Sequence, residues 1–159
     1  YDANPRGLIS HVYLGIAANS ETLPPKVTDP LRSAGGWIDR LGAPIRLPDW
    51  LTENDLNYIV SQFEKAGFRG GVNYYRNFHR NWEITEHLSD KKISIPTLFI
   101  AGEEDFVIGG STEEQLTASM SRVVEDLRDV VLIPDTGHWV QQEAPLATTA
   151  AMLKFLNGL

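Results

Sequence analysis

The sequence contains no cysteine among its 159 residues. That absence excludes disulfides, thiolate catalysis and Cys-ligated zinc, and it fits a reducing compartment, so a cytoplasmic location is expected. No apolar run approaches the roughly 18 residues that span a membrane, and no signal-peptide pattern opens the chain. Positive charge is also scarce: 14 Lys and Arg stand against 21 Asp and Glu, a formal net charge of −7. Such a balance disfavours a nucleic-acid or anionic-membrane partner. The local basic group Arg69, Arg76 and Arg80 reads as salt-bridged surface. The four histidines, His11, His79, His87 and His138, show no ligand spacing such as HxxxH, so no metal site is expected.

What is present is an ordinary globular composition, 42% hydrophobic and 22% charged, in a chain long enough for a real core. The opening residue is Tyr1 rather than methionine, in a stretch that reads as a helix already under way, which suggests a processed or partial chain. Residues 4 to 18 have Pro5 near the start and Leu8, Val12 and Ile16 on one face, a helical pattern. Residues 19 to 51 carry Pro24, Pro25, Pro30, Pro44 and Pro48 with Gly35, Gly36 and Gly42, and predict a long irregular excursion. Thr52 with Asp55 three residues on resembles a capping box, Leu56, Ile59, Val60 and Phe63 form an apolar stripe, and Gly67 supplies a stop. A second, short helix is expected after Gly70 and Gly71, carrying "VNYYRNFHRNW".

Near Lys91 the pattern changes. "ISIPTLFIAG" is a near-continuous apolar run of strand length, as for a strand buried on both faces of a parallel sheet. A helix is predicted from Thr112 to about Leu127, then a strand in "DVVLIP", then a helix from Ala144 to Leu156 with Pro145 in its first turn. Strand, helix, strand, helix is an α/β unit. The division expected is therefore a helical segment over 1–88 and an α/β segment over 89–159. Two strands make a poor sheet alone, so further strands are expected from a preceding half of the same protein.

In open α/β sheets ligands bind beyond the carboxyl ends of the strands. Asp105 follows the first strand there and His138 the second. A histidine acting as a base through one nitrogen needs an acceptor for the proton on the other, and a carboxylate serves. Asp105 precedes Phe106, Val107 and Ile108, a less watery setting than most acidic turns; Glu103 and Glu104 compete for the same role.

These residues match a family. "PTLFIAGEEDFVI" and "DTGHWVQQEAP…FLNGL" resemble the last third of α/β-hydrolase-fold proteins, and the Gly-His pair with Glu143 and Pro145 is a common ending there. "GFRGGVNYYRNFHRNWE", from Gly67 to Glu83, resembles the cap-domain signature of epoxide hydrolases, with Tyr74 where tryptophan is usual. The fold implied is the C-terminal portion of an α/β hydrolase, preceded by a mostly helical cap.

The resemblance implies that Asp105 orients His138, that His138 activates water, and that Tyr75 donates a proton to the opening ring. It implies no metal or organic cofactor, an apolar epoxide as substrate, and the possibility of a homodimer. Phe78, Val107 and Trp139 are candidate lining residues of an apolar pocket. The family's nucleophilic aspartate, its His-Gly-x-Pro segment and a second cap tyrosine have no counterpart in these residues, so the chain alone is expected to be inactive. A haloalkane or haloacetate dehalogenase, an esterase, and a non-catalytic ligand-binding relative share the fold and stand as rival readings.

Overall fold

The computed structural model describes residues 1–15, 17, 21–24 and 36–159. The expectations resting on Ile16, Pro25, Pro30 and Gly35 lie outside the described residues.

Helix α1 runs from Pro5 to Gly15 and buries Leu8, Ile9 and Leu14. In the region expected to be irregular, the described residues include short regular elements. Strand β1 (Thr22–Leu23) pairs antiparallel with β2 (Ala43–Pro44), and helix α2 (Trp37–Arg40) lies between them in sequence. A two-residue ladder tolerates Pro44 because few ladder donors are needed there.

Helix α3 spans Glu53–Ala66 behind the expected capping box. The Thr52 hydroxyl accepts from the Asp55 amide at 3.2 Å, and the Asp55 carboxylate accepts from the Thr52 amide at 3.1 Å. Gly67, at φ 67, ends the helix in the left-handed region that an L side chain avoids. Leu56 and Val60 of α3 join Leu8, Ile9, Leu14, Leu51 and Phe68 in one apolar core.

The short helix expected next is two helices. α4 covers Arg69–Arg76, including both glycines, and α5 covers Phe78–Ile84. The break falls at Asn77, whose side-chain amide donates to the Asn73 carbonyl at 3.0 Å and so competes with the helix ladder. A 3₁₀ turn over Glu86–Leu88 leads out. On α5, Glu83 pairs with His79 at 3.2 Å and with Arg80 at 3.3 Å, all three side chains well exposed.

Strand β3 is Thr97–Gly102, shorter than the apolar run, because Pro96 has no N–H for the ladder. Ile93 instead makes an isolated parallel bridge with Val124. Helix α6 is Glu113–Met120 and stops earlier than predicted. The chain turns at Ser121 to Val123 so that Val124, 3% exposed, can bury and meet Ile93. Strand β4 is Leu127–Ile133, parallel to β3 with Gly102 opposite Ile133. The residues of β3 before Ala101 are only half-buried, so the expectation of burial on both faces is corrected for this two-stranded sheet. A four-residue helix α7 (Val140–Glu143) precedes α8 (Pro145–Leu156), which starts on its proline as expected.

Candidate active site

Parallel pairing of β3 and β4 puts their carboxyl ends side by side, and the two following loops are stitched together. The Glu103 amide donates to the Ile133 carbonyl at 3.0 Å, and the Glu104 amide to the Thr136 carbonyl at 2.9 Å. Gly102 makes this approach possible. A Cβ built there would stand 2.1 Å from the Thr136 carbonyl oxygen and 2.4 Å from that of Gly137. Any side chain would push the second loop away. After β4 the chain reverses at Asp135, which takes φ 51, a conformation aspartate tolerates better than most residues.

Out of this junction come Asp105 and His138. The imidazole Nδ1 lies 3.0 and 3.1 Å from the two carboxylate oxygens of Asp105. A carboxylate only accepts, so the shared proton belongs to Nδ1, and Nε2 of the neutral ring is left with its lone pair. Asp105 is buried, whereas a third of the His138 side chain is exposed. Asp105 also accepts from the Val107 amide at 2.9 Å, which fixes its rotamer. Phe106 lies against the imidazole with ring centres 5.4 Å apart. Glu103 and Glu104, the competing acids, are exposed.

Trp139 joins this pair to the helical region. Its ring meets His138 edge-on at 4.9 Å, stacks on Tyr13 of α1 at 4.5 Å, and its indole N–H donates to the Tyr13 carbonyl at 3.1 Å. Beside it opens a largely apolar cavity of about 530 Å³, with Val12, Tyr13, Trp37, Phe63, Tyr75 and Trp139 in its walls. Tyr75 thus shares a cavity with the neighbour of His138. Its phenol is well exposed, in edge contact with Tyr74 at 5.9 Å and Phe78 at 5.5 Å.

Of the three candidate lining residues, Trp139 lies in the cavity wall and the other two do not. Phe78 packs on the ring of Tyr75, since α5 starts a new axis at Asn77. Val107 points its side chain outward and contributes its amide. Sequence reasoning gave no part to Tyr13 or Gly102, and gave Phe106 only a share in the less watery setting of Asp105. Only Gly102 left a local signal, a glycine closing a strand just ahead of the acid. Among the described residues no group of three or more His, Asp or Glu could hold a metal ion.

An acid and a histidine on adjacent strand-end loops of a parallel sheet, with helices packed against it, match the C-terminal portion of the α/β-hydrolase fold. The chain belongs by sequence and fold with the epoxide hydrolases of that superfamily, and corresponds to their C-terminal portion. It is 45% identical over 124 residues to epoxide hydrolase A of Mycobacterium tuberculosis, an alignment covering 78% of this chain and 37% of that protein. It is 36% identical over 116 residues to epoxide hydrolase 3 of Siraitia grosvenorii, covering 72% of this chain and 37% of the relative. The crystal structure of epoxide hydrolase A from Mycobacterium thermoresistibile superposes with a TM-score of 0.80 at 38% identity, over 99% of this chain and 47% of that one. Potato (Solanum tuberosum) epoxide hydrolase I gives a TM-score of 0.73 at 27% identity, over 99% and 46%. The chain therefore spans little more than a third of the length of these curated relatives. No family model matches it.

Proposed function

We propose that this chain supplies the C-terminal half of an epoxide hydrolase, which adds water to an apolar epoxide to give a vicinal diol. The helical segment over 1–88 acts as the cap and 89–159 as part of the core. A carboxylate nucleophile from residues outside this sequence attacks a ring carbon, the C–O bond breaks, and the ester intermediate forms. Tyr75 donates its phenolic proton to the developing alkoxide, which lowers the barrier where charge appears. His138 then takes a proton from water through Nε2, with Asp105 holding Nδ1–H. The resulting hydroxide attacks the ester carbonyl, releasing the diol and regenerating the carboxylate. The proton held on His138 returns to the Tyr75 phenolate.

The observation that carries this reading is the Asp105–His138 contact beside a cavity whose wall includes Tyr75. Apolar side chains left open on α8, among them Leu146 at 86% and Leu156 at 54% exposure, support a further part of the hydrolase core packing there. The phenol in the cavity wall favours epoxide opening over dehalogenation, in which a leaving halide needs no proton. The test is the full-length protein assayed on styrene oxide and on 1-chlorobutane. Diol from the first without halide release from the second is expected. Halide release without diol would replace the epoxide reading with dehalogenation.

A further inference from the structure

We infer that Glu143 is a positioning residue that aims His138 at the ester intermediate. The inference rests on the hydrolase reading given above. Glu143 closes the short helix α7, five residues beyond the histidine. Its two carboxylate oxygens take separate partners: Oε2 accepts from the Gly137 amide at 3.0 Å, and Oε1 accepts from the Trp139 amide at 2.9 Å. Those amides belong to the residues on either side of His138. One carboxylate therefore grips the backbone on both flanks of the imidazole.

The opposite side of the same loop is equally confined. The carbonyls of Thr136 and Gly137 press on Gly102, close enough that a Cβ would overlap them. The loop carrying His138 is held between the end of β3 and the Glu143 carboxylate. Asp105 then fixes the ring about the side-chain torsions, and Glu143 fixes the peptide from which that ring hangs. Hydrogen bonds to an ionised acceptor are the stronger kind, and two of them on one rigid group define an orientation as well as a position.

Glu143 could instead serve only as an acidic residue in the first turn of α7, accepting from Trp139 at the helix start. Gly137 lies outside that helix, so its bond is not part of such a cap. The two roles predict different kinetics. His138 works only in the second half-reaction, so misaiming it slows ester hydrolysis and leaves ester formation intact. Loss of a cap lowers stability and affects both steps alike.

The experiment uses the full-length protein with Glu143→Gln and Glu143→Ala. Single-turnover measurements with styrene oxide give the rates of ester formation and of its hydrolysis as a function of pH. Misplacement of a catalytic group by about 1 Å costs on the order of 100-fold. Hydrolysis is therefore expected to fall roughly 100-fold in Glu143→Ala and less in Glu143→Gln, which keeps one acceptor oxygen. Formation should stay within a factor of about 3, so that the ester accumulates. Equal losses in both steps, or a lowered Tm with unchanged hydrolysis, would overturn the inference.

A second measurement does not depend on turnover. The His138 imidazole ¹⁵N and Hδ1 resonances should move in Glu143→Ala as the Asp105 hydrogen bond lengthens. Unchanged resonances overturn the positioning role. If the parent protein forms no ester but the resonances do move, the reaction reading fails and the positioning role stands.

Discussion

His138 and Asp105 are 33 positions apart, yet the imidazole Nδ1 sits 3.0 Å from one carboxylate oxygen and 3.1 Å from the other. The near-equal distances place the ring nitrogen across the carboxylate rather than on one oxygen. The Val107 amide, 2.9 Å from Oδ1, holds the acid in that pose. The imidazole and the carboxylate that holds it come from one junction of two parallel strands.

Replacing Asp105 with Asn keeps the size of the side chain but offers an amide where Nδ1–H needs an acceptor. The ring would then turn or change tautomer, and Nε2 would lose its lone pair. In the full-length protein, hydrolysis of the ester should slow by about 10²–10⁴-fold, the usual contribution of a positioned base. Trapping the alkylated protein by mass spectrometry checks this: an ester that fails to build up in Asp105→Asn contradicts the role.

Tyr75→Phe removes one donor from the cavity wall and leaves the aromatic contact with Phe78 intact. Ring opening should slow by about 10²–10³-fold, the cost of losing one oxyanion donor, or by less where a second donor shares the load. The hydrolysis step should be unchanged. Stopped-flow tryptophan fluorescence separates the two, since Trp139 adjoins His138 and reports the state of the site.

Gly102→Ala forces a methyl group against two backbone carbonyls that cannot swing aside as a side chain would. Overpacking of this kind costs roughly 1–3 kcal/mol. Thermal denaturation should show a lower Tm, and the displaced loop should carry His138 away from Asp105. A variant as stable and active as the parent would mean that the loops separate freely, against the backbone bonds joining them.

Stability at acid pH has one identifiable contributor in α3. Hydrogen bonds from the Thr52 hydroxyl at 2.6 Å, and then from the Thr52 amide, hold the Asp55 carboxyl below its ordinary value. A depressed folded-state value means the contribution is present above the unfolded value, about 4, and is lost as pH falls through the lowered one. The Tm difference between the parent and Asp55→Ala should therefore hold steady from pH 7 to about 5 and shrink below about 4. A difference that grew on acidification would have the wrong sign for this carboxylate.

How much of the site could be read in advance differs from residue to residue. The capping box at Thr52 and Asp55, the stop at Gly67, the proline opening α8 and the two strands are local patterns of periodicity and turn chemistry, which a sequence displays directly. The pairing of Asp105 with His138 needed one further rule, that parallel strands carry their working loops at the same end. The split at Asn77 was hidden, because it depends on a side chain competing with its own backbone. That split is also why Phe78 leaves the cavity and packs on Tyr75.

The sequence by itself determined the class of fold, the kinship with epoxide hydrolases and the identities of the acid, the histidine and the phenol as candidates. Tertiary structure alone decided which groups surround them. Trp139 finds Tyr13 across 126 positions, and Glu143 reaches two amides by folding back over six and four. Such contacts are set by how helices and loops pack in space, and packing leaves no periodic trace along the chain.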